Sequence, residues 1–169
     1  MTSLRSAAVA AALSVVLLAA GACGGDKGDG SKVTKVTSGP GEKTEGAPIT
    51  FRASLSGAEE VPGPGVKEGV GSFVIDVGGT RGCYELRATM GEKPKQAHLH
   101  QGARGSAGPV VVDLKPAFES GESDFLAKSC IDLAADLAAK LAADPVGYYV
   151  NVHTDAHPNG AMRGQLAKS

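Results

Sequence analysis

Apolar residues fall at every second position in one stretch of this chain after another, and that spacing puts them on a single face only in a β-strand. Ile49 to Leu55 alternates in this way. So do Phe73, Ile75 and Val77, then Tyr84, Leu86, Ala88 and Met90, then Ala97 with Leu99 and Val150 with Val152. Gly57, Gly78-Gly79, Pro109 and Pro158-Asn159-Gly160 punctuate these runs, and 24 of the 169 residues are glycine. Such punctuation marks tight turns, with Gly78-Gly79 reading as a hairpin turn. Pro62 and Pro64 lack ladder donors and bar a central strand over residues 59–65. The pattern predicts an all-β, antiparallel domain. Phe125 to Ile131 reads as a further strand. Cys83 falls on the face opposite Tyr84, so burying both requires a bulge or a strand-end position.

One helix interrupts this pattern. Asp132 offers an N-cap, and Leu133, Leu137 and Leu141 recur at helical spacing among alanines. Pro145 ends the run, which is expected to cover an end or flank of the β domain.

The N-terminus reads as an export signal. Arg5 precedes an apolar stretch from Ala7 to Leu18, too short to span a bilayer, which takes about 20 residues. Ala20-Gly21-Ala22 then leads into Cys23. The arrangement resembles a bacterial lipoprotein signal over residues 1–22, with Cys23 lipidated and the protein held on the extracytoplasmic face of the cell membrane. Ala20 stands where such signals most often carry Leu, and Ala20 with Ala22 also fits ordinary cleavage to a soluble product. Residues 23–47 then form a polar tether with almost nothing to bury and an r.m.s. reach of about 25–30 Å. Residues 48–169 form the folded domain. If Cys23 carries lipid, Cys83 and Cys130 remain for a disulfide, which an exported setting permits; two buried thiols are the alternative.

Charge excludes one class of partner. With 17 basic and 18 acidic side chains interspersed, no basic face is available for nucleic acid. Two enzyme signatures also fail. Ser106 lies in no strand–elbow–helix context, and the Gly102–Gly108 loop lacks the lysine and helix of a phosphate cradle.

Three separated motifs carry a family resemblance: Leu55-Ser56-Gly57-Ala58-Glu59-Glu60-Val61-Pro62; Ala97-His98-Leu99-His100 with Gly102, Gly105 and Gly108-Pro109-Val110-Val111; and Tyr148 to Thr154 with Pro158 to Leu166. The chain resembles the CHRD, or chordin-type, domain over about residues 48–167. The resemblance implies an antiparallel, Greek-key-like β-sandwich similar to that of superoxide dismutase, here with one short helix. It implies no settled activity, and chordin's growth-factor binding does not transfer to a single bacterial domain.

Strand parity supplies the chemistry. If Leu99 and Val152 point inward, His98, His100, Asn151 and His153 point outward, and neighbouring strands would bring them into one outer patch. Imidazoles suit copper and zinc, so His98, His100 and His153 are candidate ligands, with His157 in a loop as a fourth. The competing reading has these histidines bonding loop carbonyls and pinning the Gly102–Gly108 turn. Glu60 and Arg163 are expected either to pair with each other or to cap backbone groups. The sequence thus points to a membrane-anchored, non-catalytic binding or structural module with no certain cofactor and with an unidentified protein or small molecule as ligand. An envelope copper- or zinc-binding protein is the alternative.

Overall fold

The structure is a computed structural model that describes residues 46–169 apart from residue 120. The expected signal peptide, Cys23 and the tether up to residue 45 lie outside the described residues. Among the described residues nine strands form: β1 (Ile49–Ser56), β2 (Val70–Gly78), β3 (Arg81–Thr89), β4 (Pro94–Gln101), β5 (Val110–Asp113), β6 (Asp124–Asp132), β7 (Tyr148–Thr154), β8 (Met162–Gln165) and β9 (Ala167–Lys168). Every pairing is antiparallel, in the order β5-β4-β7-β8-β1-β2-β3-β6, with β9 beside β1. The sheet curls so that β4, β5, β7 and β8 form one half and β1, β2, β3 and β6 the other. The register pair Ser56–Arg163 joins the halves. Connections after β3, β5 and β6 cross between them.

Side-chain alternation explains the closure. Phe51, Phe73, Leu86, Val150 and Val152 are all at most 1% exposed and belong to one core. Each such side chain contributes roughly 1.5–3 kcal/mol relative to exposure. The face of Tyr84, Leu86, Ala88 and Met90 is buried as its period predicted. Tyr84 also ties the halves together, because its hydroxyl donates to the Leu114 carbonyl at 2.8 Å. Gly79, at φ +57°, supplies the left-handed conformation in the β2–β3 hairpin.

Two local expectations need correction. Helix α1 runs Ala135–Ala143, and Ala134, not Asp132, occupies its N-cap without a side-chain bond. Asp132 instead ends β6 opposite Arg81, and the Leu133 N–H donates to the Thr80 carbonyl at 2.7 Å. Sheet pairing therefore claims the residues that would have opened the helix. Leu133, Leu137 and Leu141 are nevertheless all buried. Second, Cys83 and Cys130 are disulfide-bonded, facing each other across β3 and β6, but both are exposed. They lie on the outer face of an unbroken ladder, so no bulge is needed to accommodate Tyr84 inside. Among the described residues, no helix is long and apolar enough to cross a membrane.

Candidate functional site

The β4–β7–β8 half carries an apolar inner face and a polar outer one. Ala97, Leu99, Val150 and Val152 are at most 2% exposed on the inner side. On the outer side His98, Asn151 and Arg163 stand in one line across the three strands, and His100, Tyr149 and Gln165 in the next. His153 is two residues beyond Asn151 on the same face and pairs with Gln96. The two histidine-bearing strands are thus neighbours, with Leu99 and Val152 turned inward.

This outer face is not a surface patch. His100 and His153 are 8% exposed, Glu60 5%, Asn151 4% and Arg163 2%, while His98 is half-buried. Three loops roof it. The loop after β4 places the Gly108 carbonyl 2.9 Å from His100 Nδ1 and the Ser106 carbonyl 3.0 Å from Arg163 Nη1. The loop between β7 and β8 places the Pro158 carbonyl 3.0 Å from His153 Nδ1. The loop after β1 brings in Glu60, whose Oε2 lies 3.5 Å from Asn151 Nδ2. Gly160 permits this approach: at φ +143°, a Cβ there would run into the Glu60 carboxyl and come within 2.9 Å of Asn151 Nδ2. Loops can cover a polar sheet face only if their backbone groups and its side chains satisfy each other, and much of the covering here does so.

Carbonyl oxygens only accept, so His100 and His153 carry their protons on Nδ1 and direct an Nε2 lone pair inward when neutral. Burial keeps them neutral by pushing both pKa values below the usual histidine value, against the opposing effect of each carbonyl bond. His153 Nε2 then accepts from His98 Nδ1 at 3.0 Å. His100 Nε2 has no partner among the described residues. One ring nitrogen from each of His98, His100 and His153 falls within a set whose members all lie within 4.8 Å of one another. Two ligands of a single ion at about 2.1 Å are at most about 4.2 Å apart, so metal binding here requires a side-chain shift.

Glu60 and Arg163 form no direct ion pair among the described residues. The Arg163 guanidinium lies over the Tyr149 ring, 3.5 Å from its centroid, and donates to Ser106. The Tyr149 ring also stacks on His100 at 4.8 Å and 11°. Burial raises the Glu60 pKa to about 7, with the Arg163 charge only partly opposing it. His157 does not join the imidazoles. Its Nδ1 lies 3.0 Å from Glu92 Oε2, which also accepts from Thr154 Oγ1 at 2.5 Å. The sequence reading missed Tyr149, which parity with Asn151 and His153 places on the histidine face, and Gln165, which the β7–β8 register brings there. Gln165 Nε2 donates to the Gly102 carbonyl at 2.8 Å and helps pin the roof.

Residues 51–166 match the CHRD domain family, a span that includes the whole roofed cluster. The chain belongs to the CHRD domain family. No curated protein and no solved structure matches it. Among the described residues of this CHRD domain, four buried side-chain polar atoms lack hydrogen-bond partners: Glu60 Oε1, His100 Nε2, Asn151 Oδ1 and Arg163 Nη2. Three of them lie on the roofed sheet face, and Glu60 reaches it from a covering loop. Their concentration in one place is unusual, because buried polar atoms are nearly always paired.

Proposed function

We propose that the chain is an exported lipoprotein, anchored through Cys23 on the extracytoplasmic face of the membrane, that presents its CHRD domain as a non-catalytic binding module. The roofed cluster is the binding site. The four unpartnered buried atoms gathered there support this reading most directly, since leaving such groups unpaired costs about 1–3 kcal/mol each and a bound ligand would recover it. His100, His153 and Arg163 are committed to loop carbonyls, an arrangement suited to holding a ligand rather than to turnover. The small residues before Cys23 and the polar segment after it support the anchor.

Two measurements test the proposal on the full chain expressed in a bacterial host. Labelling with an alkyne-tagged palmitate should mark the protein, and Cys23→Ser should remove both the label and the membrane association. A soluble, unlabelled mature product would refute the anchor. Native mass spectrometry of protein isolated from the envelope should show a bound low-mass species that is lost in Asn151→Ala. Ligand-free protein in both forms would refute the binding role.

A second reading has its own observation. Three imidazoles converge, two of them with tautomers set by backbone carbonyls, the kind of outer support that orients metal-binding histidines. On this reading the ligand is a copper or zinc ion.

A further inference from the structure

Resting on that second reading, the geometry points to copper(I) as the ion held by His98, His100 and His153, in preference to zinc(II) or copper(II).

The donor set comes first. Three imidazoles converge, and among the described residues no carboxylate or thiolate belongs to the converging group. With three protein ligands zinc(II) completes its tetrahedron with a water, and copper(II) favours four or more ligands in a tetragonal array, so either dication needs a further ligand that the three rings do not supply. Copper(I), with a filled d shell, is satisfied by two or three nitrogen ligands. His157, the chain's one remaining histidine, is held by Glu92.

Charge makes the same choice. The Arg163 guanidinium is 2% exposed and lies over the Tyr149 ring that stacks on His100. It is a fixed positive charge beside the cluster. A dication there meets twice the repulsion that a monocation meets. The cost of removing an ion from water rises with the square of its charge, so burial under the three loops also penalises a dication more heavily. Among the described residues Glu60 is the one buried acid beside this face, and its carboxyl meets the Asn151 amide, not the converging imidazoles.

Access and assembly are consistent with this assignment. His153 lines a surface cleft of about 400 Å³ together with Lys95, Gln96, Thr154, Asp155 and Pro158. His98 is half-buried and is held on the cluster side by His153. Metal uptake breaks that single contact and draws the three rings together, while the carbonyl bonds of His100 and His153 stay in place.

The test uses the full chain stripped of metal. Copper(I) is titrated anaerobically in competition with bicinchoninate, and zinc(II) and copper(II) are titrated separately against chromophoric chelators. One equivalent of copper(I) should bind at least 100-fold more tightly than either dication. His100→Ala should weaken copper(I) binding at least 100-fold. His98→Ala, at the half-buried position, repeats the test should His100→Ala fail to fold by circular dichroism. X-ray absorption should show two or three nitrogen neighbours. Tighter binding of zinc(II) or copper(II) overturns the copper(I) assignment while leaving a metal site. Absence of binding tighter than micromolar for all three ions, or copper(I) binding unchanged in a folded histidine variant, overturns the metal reading itself.

Discussion

Glu60→Gln should stabilise this protein at alkaline pH and leave it unchanged in acid. Glu60 is 5% exposed, its Oε1 has no partner, and its pKa is raised from 4.5 to about 7, chiefly by burial. The unfolded chain releases this proton near the ordinary carboxyl value, whereas the folded chain keeps it until about pH 7. The folded state therefore binds more protons between those values, and stability falls as pH rises through the window. At about 1.4 kcal/mol per unit, the ionised carboxylate destabilises the fold by a ceiling of about 3 kcal/mol above pH 8. Gln has nearly the same shape and never ionises. Denaturant melts at about pH 4.5 and pH 8.5 should show equal stabilities at the first and a gain of about 2–3 kcal/mol for the variant at the second. His100 and His153 act in the opposite sense. Their pKa values are lowered, so their contribution is present above the unfolded value of 6.5 and is lost as pH falls below it. Both proteins share these histidines, so the difference between the two melts isolates Glu60. Parallel curves across the range, or a variant weaker at high pH, would refute the reasoning and make Glu60 an ionised partner of Arg163.

Other perturbations test the frame around the site. Gly160→Ala should cost about 2 kcal/mol or more in a denaturant melt, because φ +143° strains an L residue and the new methyl meets Glu60. Adding Glu60→Ala should restore part of that loss, and strict additivity would show that the two residues do not meet. Tyr84→Phe removes the buried bond to the Leu114 carbonyl that ties the sheet halves, and should lower stability by about 1–2 kcal/mol. Reducing the Cys83–Cys130 bond, which closes a separation of 47 residues, should lower stability by up to about 4 kcal/mol in the chain-entropy model, read as a drop in the denaturant midpoint. The bond is exposed, so mild reductant should reach it in the folded protein.

Period-two alternation placed most of the strands, because one buried face is a local property of each segment, but not the two-residue β9, which is too short to show a period. Leu99 and Val152 point inward for that reason, and His98, His100, Asn151 and His153 share the other face. The disulfide was legible from the cysteine count, and the CHRD motifs from their order. Which elements meet was not legible. Asp132 looks like a helix cap in isolation, yet pairing with Arg81 and the Leu133–Thr80 bond extend β6 through it. Cys83 and Cys130 could be assigned to each other, but only the β3–β6 register puts them on the solvent face. The largest difference concerns the histidine face. From strand parity it is an outer patch; in the folded chain three loops, distant in sequence, close over it and bury Glu60, His100, Asn151, His153 and Arg163. Parity is set by neighbours two residues apart, whereas burial is set by whatever the tertiary fold lays on top. The sequence by itself thus determined which side chains share a face of each strand, and the tertiary structure decided that those strands are neighbours and that the shared face is desolvated, which shifts the pKa values of Glu60, His100 and His153 and, among the described residues, leaves four buried atoms there without a partner.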